Sequence, residues 1–323
     1  FNALLFGATF TDTGYARDDP ASRAYAEHTH WEPFIQDYVE WIRVNDPPPW
    51  TTLESKKRVA FLLGCASHGL QDELFDSLFL YQIEEHDGAG QEDADPATDG
   101  FLALDDHLRF VPTEDIPIET LLELYAGLDE EITAEVISES VAMVTDFYIN
   151  DTLGRQVAET LGNRHADALP WTRVHYLDAD LPGSLRAEIY PTMRYHQAIW
   201  ERLHEGLGAD SATTFAYPEA PRRLLTGSAA ATSSWVSLVF GVGVRYEDDL
   251  VELFDAEGAA VPMVQANSRW GPEFTRVVRV TPLEDLAPGG WYTARLRARV
   301  ETIDGQVSTA PWELTFQVEC VAP

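Results

Sequence analysis

Lysine is almost missing from this chain: only Lys56 and Lys57 occur, and arginine makes up the rest of its 22 basic residues. Against them stand 54 Asp and Glu, a formal net charge of −32. A surface of that sign repels phosphate backbones and disfavours nucleic acid as a partner. It also opposes lasting attachment to anionic lipid unless bound metal ions reverse the local sign. Such an acidic, lysine-poor surface suits a salty medium. No run of eighteen apolar residues is present, which excludes a membrane-spanning helix. Two cysteines, Cys65 and Cys320, are too few for a disulfide framework. Cys65 lies in an apolar stretch and reads as a small buried residue; whether it pairs with Cys320 stays open. An initiator methionine and a signal peptide are both lacking, so Phe1 reads as the start of a processed or trimmed chain.

What is present suffices for two folded domains: 323 residues, 45% hydrophobic and 11% aromatic. Up to about residue 210 the apolar spacing is helical. One long helix is expected over residues 52–83, with Thr51 or Thr52 as its cap ahead of Glu54. Shorter helices are expected over 30–46, 112–128, 129–151 and 184–208. The last should bend or break before Pro191 and end at Gly206 or Gly208. Beyond TTFAYPEAPRR the pattern becomes short β-branched and aromatic runs separated by AEG, PGG and DG turns. That is the pattern of an antiparallel β-sandwich. The expected architecture is multidomain, with an all-α domain over residues 1–214 and an all-β sandwich over 215–323.

Inside the long apolar helix, His68, Asp72 and Asp76 recur at intervals of four and so share one helix face. Acidic groups rarely face a core unless paired or bound to a metal; a solvated polar stripe is the bland alternative. Other chemistry-bearing residues come from separate segments: Asp12 in GATFTDTGY, His28 and His30 in EHTHWEPF, His86 in EEHDG. The acidic loop QEDADPATDG adds Asp93, Asp95 and Asp99. Helical bundles build internal metal sites from such scattered segments. Individually, His28 and His86 read as exposed polar residues, and the acidic loop as a solvated turn or a calcium loop. Among the remaining histidines, His175 in RVHYLDAD is the first to check.

The order GAxxxD, HWxPF, SHxxxD and DxxxDG, over roughly residues 5 to 110, resembles the zinc-dependent phospholipase C family, whose superfamily includes the S1/P1-type nucleases. It is most similar to the divergent branch containing glycosylphosphatidylinositol-specific phospholipases D. The resemblance implies a helical fold and a metal centre. Asp12 would be its early ligand or catalytic carboxylate, and His30, His68 and Asp72 further ligands, with Asp72 able to bridge two ions. Asp76, Asp95 and Asp99 fall on second-site positions. There Asp76 and Asp95 stand in place of histidines, so that site would be all oxygen and would favour Ca²⁺, Mg²⁺ or Mn²⁺ over Zn²⁺. The family's early histidine has no counterpart, and its N-terminal tryptophan is replaced at best by Phe1.

Residues 236–318, with Leu286-Ala287-Pro288-Gly289 ahead of Trp291-Tyr292-Thr293, resemble a bacterial Ig-like module and imply a spacer or adhesive unit. Together the two resemblances imply a secreted or cell-surface metal-dependent phosphodiester hydrolase of phospholipase C type. Its substrate would be phospholipid or a related phosphodiester, with possible peripheral membrane contact. The competing expectations are a nuclease of the same superfamily and a non-catalytic metal-binding adhesion protein.

Overall fold

The computed structural model describes residues 1–107, 116–146, 152–206, 214–217, 224–225, 236–268, 273–297, 299–308 and 312–319. Cys320 lies outside these, as do residues 207–213, where helices were expected to give way to strands. The chain divides into two compact units. The first comprises Phe1–Asp72, Ile83–Tyr176 and Ile199–Gly206; the second comprises Glu73–Gln82, Leu177–Ala198 and Leu207–Pro323.

The helices, in chain order, are α1 (Asn2–Phe10), α2 (Pro20–His30), α3 (Glu32–Asn45), α4 (Leu53–Leu74), α5 (Leu80–His86) and α6 (Gln91–Leu104). They continue with α7 (Ile118–Tyr125), α8 (Ala134–Val144), α9 (Thr152–Ala166), α10 (Pro170–His175) and α11 (Ile189–Glu205). Local chemistry explains their starts. Asp19 accepts the Ser22 amide at 2.9 Å and Pro20 opens α2 with a preset φ. Thr52, one of the two candidate caps, accepts the Ser55 amide at 3.1 Å ahead of α4. Thr133 does the same for Val136 at 3.2 Å ahead of α8.

Three sequence expectations need correction. The long helix does not run evenly to Ile83: α4 ends at Leu74 and a wider π turn, Phe75–Phe79, precedes α5. The helix expected over 184–208 starts only at Ile189: residues 184–188 form turns, as a break before Pro191 requires, and Pro191 sits in the first turn, where no intrahelical amide is lost. The acidic stretch QEDADPATDG is not a loop but most of α6, and it carries Pro96 inside the helix. Glu92 and Asp93 in its first turn suit the positive end of the helix dipole.

Within the first unit an aromatic core of Phe6, Phe10, Tyr25, Phe34, Phe61 and Tyr125 is almost fully buried. Glycines then let backbones meet directly. A Cβ on Gly64 of α4 would lie 2.1 Å from the Leu4 carbonyl oxygen of α1, and one on Gly7 would lie 2.3 Å from that of Phe61. Gly100 of α6 and Gly162 of α9 meet the same way, a Cβ on the first falling 2.3 Å from the amide nitrogen of the second. This packing turns one side of α6 towards α9.

In the second unit, strands β1 (Thr214–Tyr217), β2 (Leu224–Leu225), β3 (Val236–Arg245), β4 (Val251–Asp255), β5 (Met263–Ala266) and β6 (Phe274–Pro282) are followed by four more. These are β7 (Trp291–Leu296), β8 (Val300–Glu301), β9 (Val307–Ser308) and β10 (Glu313–Glu319). One four-stranded sheet has the order β1-β3-β6-β5 and the other β2-β10-β7-β4, with a small β8-β9 pair besides. Pairing is antiparallel apart from β2 with β10. Alternating residues of both sheets, among them Leu238, Phe240, Val278, Leu253, Ala294 and Phe316, share one buried cluster.

Because backbone atoms face Gly64, no rotamer change can make room there. Gly64→Ala should lower the unfolding free energy by about 1–3 kcal/mol, the usual cost of overpacking. Gly127→Ala, with nothing within 4 Å of its Cβ, should stay within about 0.5 kcal/mol of the parent. Equal denaturant midpoints for the two variants would disprove the close crossing of α1 and α4.

Candidate metal centre

Asp12 follows α1 at the entrance to a 3₁₀ turn, Thr13–Ala16. Thr13 fixes that turn by donating to the Phe10 carbonyl at 2.7 Å and by a 2.9 Å hydroxyl contact with Tyr25. Gly14 lets the turn lie against α2, since a Cβ there would fall 2.1 Å from the Ser22 carbonyl oxygen. The last residue of α2 is His30, whose Nδ1 is 2.7 Å from the Ala26 carbonyl and therefore donates to it. That hydrogen bond leaves Nε2 facing Asp12 Oδ1 at 3.1 Å. A proton or a cation must lie between two such lone pairs.

His68 arrives from α4, one turn beyond Gly64. Its Nε2 is 3.4 Å from the same Asp12 oxygen, and its ring hydrogen-bonds the Ala8 backbone. The rings of His30 and His68 stand edge to face, their centroids 5.0 Å apart. Asp72 follows one turn later, its Oδ2 3.8 Å from His30 Nε2. One ligand atom each from Asp12, His30 and His68 lies within 4.8 Å of the others. Bonds of about 2.0–2.1 Å to a tetrahedral ion place ligand atoms about 3.3 Å apart, so the observed separations fit a divalent cation with mixed nitrogen and oxygen ligands. His30 is 5% exposed, but Asp12 and Asp72 are 57% and 43% exposed. The group is therefore open on its carboxylate side.

The electrostatics bring in α6. Burial pushes the Asp95 carboxyl up to about 7, helped by the charges of Asp72, Asp99 and Asp12 against a hydrogen bond from Gln91. Asp99 is pushed up to about 6 by burial and by Asp12, with His68 opposing. Both residues are nonetheless solvent-accessible. Burial would also raise Asp12, but His68 and His30 overcome it and hold its carboxyl well below the usual range. Burial would lower His68, yet Asp12 and Asp72 carry its imidazole up to about 9.

Asp12, His30, His68 and Asp72 thus come together, with Asp95 and Asp99 in their electrostatic neighbourhood. Asp76 is placed differently: it sits in the π turn, belongs to the second unit and is 1% exposed. Four-residue spacing keeps one face only at 3.6 residues per turn, and the wider turn ends that register. His28 is not an exposed residue; it is half-buried against Phe34 and Tyr125, and burial lowers its pKa. His86 is exposed, stacked 4.4 Å from Trp171, and His175 lies on the same tryptophan at 4.7 Å. Among the described residues neither histidine belongs to a metal-type group.

Sequence reasoning missed Tyr15, Glu27 and Trp31. Glu27 accepts from Tyr15 Oη at 2.7 Å and from Trp31 Nε1 at 2.8 Å, while the Tyr15 ring lies 5.5 Å from His30. Burial first, and then the Glu27 hydrogen bond, push the Tyr15 hydroxyl far above its ordinary value. The four-residue step from Glu27 to Trp31 was the available signal.

No family model matches the chain. Among curated proteins it is similar to phosphatidylinositol-glycan-specific phospholipase D of Homo sapiens, 46% identical over 83 residues that make up 25% of this chain. The Rattus norvegicus and Bos taurus proteins of the same name are 42% and 37% identical over 83 residues. The match spans 10% of the length of each of these relatives. Of solved structures, CopC from Methylosinus trichosporium OB3b is 25% identical and covers 33% of this chain and 94% of its own, with a TM-score of 0.24. The surface-layer protein SbsC, domains 1–6, is 12% identical and covers 97% of this chain and 46% of its own, with a TM-score of 0.25. Neither superposition bears on the fold.

The raised carboxyls make metal-free stability depend on pH in a definite sense. Asp95 and Asp99 keep protons that the unfolded chain releases near 3.8, so their contribution is lost as pH rises towards about 7. His68 contributes fully below its ordinary 6.5, and this is lost as pH climbs through about 9. Asp12, being depressed, contributes above 3.8 and loses that only in acid. In chelator the melting temperature should therefore fall between about pH 5 and 9, and saturating zinc should flatten or invert that slope because ligands bind metal deprotonated. A flat profile in chelator would refute this shared electrostatic neighbourhood.

Proposed function

We propose that the helical region, taken as residues 1–214, is a metal-dependent phosphodiester hydrolase of the zinc-dependent phospholipase C type. It acts outside the cytoplasm on phospholipid or a related phosphodiester. The observation that carries this reading is the convergence of ligand atoms of Asp12, His30 and His68 from three segments to within 4.8 Å of one another. The partial similarity to phosphatidylinositol-glycan-specific phospholipase D points the same way.

Zn²⁺ would be held by Asp12, His30, His68 and Asp72, and a second, harder ion by Asp95 and Asp99. When bound, such ions supply an activated water near neutral pH and positive charge against the phosphoryl oxygens. The protein's own groups do the remaining work. His30 is fixed by Ala26 so that its Nε2 lone pair is presented. Asp12 stays ionised at any ordinary pH and serves as a ligand that can also orient the attacking water. The Tyr15–Glu27–Trp31 chain stiffens the rim beside His30.

Residues 215–323 are read as an Ig-like accessory module. The sheet orders β1-β3-β6-β5 and β2-β10-β7-β4 support this, as they match strands ABED and CFG with an added edge. So does Tyr292 near the start of β7, whose hydroxyl accepts the Ala287 amide at 2.9 Å, a tyrosine corner.

Metal-loaded protein should cleave phosphatidylcholine or phosphatidylinositol in preference to single-stranded nucleic acid, since a net charge of −32 penalises a polyanion. His68→Ala and Asp12→Ala should each lower kcat/KM by more than about a hundredfold, beyond the loss of an outer-shell partner. Cleavage of nucleic acid alone would make the protein a nuclease. Failure on every substrate by zinc-loaded protein would favour a non-catalytic metal-binding surface protein.

A further inference from the structure

Arg202, in the part of α11 that belongs to the first unit, is 2% exposed. Its partners lie on the opening turns of α3, in the same unit. Arg202 Nη1 is 2.9 Å from Glu32 Oε1, and the Glu32 side chain is fully buried. Arg202 Nη2 donates to Gln36 Oε1, one turn further along α3. Gln36 Nε2 in turn donates to Glu40 Oε1 at 3.3 Å, and Arg43 Nη1 donates to both oxygens of Glu40 at 2.8 and 2.9 Å. Arg43 ends this run beside the C-terminus of α11, where a Cβ on Gly206 would fall 2.6 Å from its Nη2. One side of α3 is thus tied to the last turn of α11 from Glu32 to Arg43.

Stability alone does not call for such a pin. Taking two charges out of water is unfavourable, and an apolar pair of similar volume often stabilises a core as well or better. What an apolar pair does not supply is direction. A planar guanidinium meets two acceptors one turn apart only when α3 holds one rotation and one height against α11. That turn begins two residues from the candidate centre. His30 ends α2, Glu32 begins α3, and Trp31 alone separates them with an extended backbone, φ −100° and ψ 158°. Across a one-residue corner, the first turn of α3 fixes the direction in which α2 must end. The His30 ring has little freedom of its own: Nδ1 is bound to the Ala26 carbonyl of α2, so Nε2 reaches Asp12 only where α2 places it.

We propose that Arg202 is a positioning residue: by gripping Glu32 and Gln36 it sets the α2–α3 corner, and hence where His30 presents Nε2 to a metal ion. This rests on the reading of Asp12, His30 and His68 as a metal centre. The buried ion pair then serves the aim of one ligand more than the stability of the unit that contains it.

The test uses the full chain. A double variant, Glu32→Leu with Arg202→Met, removes both charges together and leaves neither buried alone. It is compared with the parent by melting temperature and by zinc affinity from chelator competition, the latter well below melting. The double variant should melt close to the parent yet bind zinc about tenfold more weakly, the scale of an outer-shell loss. Linkage requires the reverse effect, so zinc should slow solvent exchange of the Arg202 guanidinium protons in the parent. Unchanged zinc affinity in the folded double variant overturns the proposal while leaving the metal centre intact. Should the double variant fail to fold, guanidinium exchange in the parent decides, and indifference to zinc there overturns the proposal in the same way. A parent chain that binds no zinc overturns the metal centre and this proposal with it.

Discussion

The candidate centre depends on a contact that involves no functional side chain at all. At Gly7 and Gly64 the backbones of α1 and α4 touch, closer than the roughly 8–10 Å between axes of ordinary helix pairs. Asp12 lies five residues beyond the first glycine and His68 four beyond the second, so both inherit the precision of that crossing. Gly14 repeats the device between the 3₁₀ turn and α2, which brings His30 to the same carboxylate oxygen. Add one methyl group at any of these positions and the separations of 3.1 and 3.4 Å no longer follow.

Around that frame the charges are arranged at a cost. Four aspartates share one neighbourhood with His30 and His68. Burial first, and their mutual repulsion second, hold the Asp95 and Asp99 carboxyls up to about 7 and about 6. Like carboxylates at close range cannot all ionise without a counter-charge. The β unit solves the opposite problem. There a single buried carboxylate, Glu73, is saturated with donors and pairs with a fully buried arginine. The same residue class thus stands exposed beside two imidazoles in one case and serves as a closed structural pin in the other.

Much of this was legible in the sequence because it follows from periodicity. The apolar spacing of α4, the His68–Asp72 step and the short β-branched and aromatic runs of β3, β6 and β7 all express local geometry, and local geometry is what a sequence encodes most directly. The convergence of Asp12 and His30 on His68 could be stated only through resemblance, since the joining contacts run through glycines with no side chain to signal them. The acidic stretch of α6 read as a loop because Pro96 and its aspartates disfavour a helix; packing of Gly100 on Gly162 overrides that propensity. Asp76 was grouped with Asp72 on the assumption of an unbroken 3.6-residue turn, and nothing in FDSLF announces the π turn that ends it. Glu73 went unremarked because its partner lies two hundred residues away in β6.

Cys65 gives the α1–α4 crossing a built-in clock. Its thiol is buried and donates to the Gly7 carbonyl at 3.4 Å, so it sits on the contact that the centre depends on. Burial pushes that thiol far above its ordinary value, and the thiolate is the reactive form. While α1 stays seated, the sulfur is chemically silent. Its rate of alkylation therefore counts the openings of this one seam, a local breathing event that bulk melting averages away.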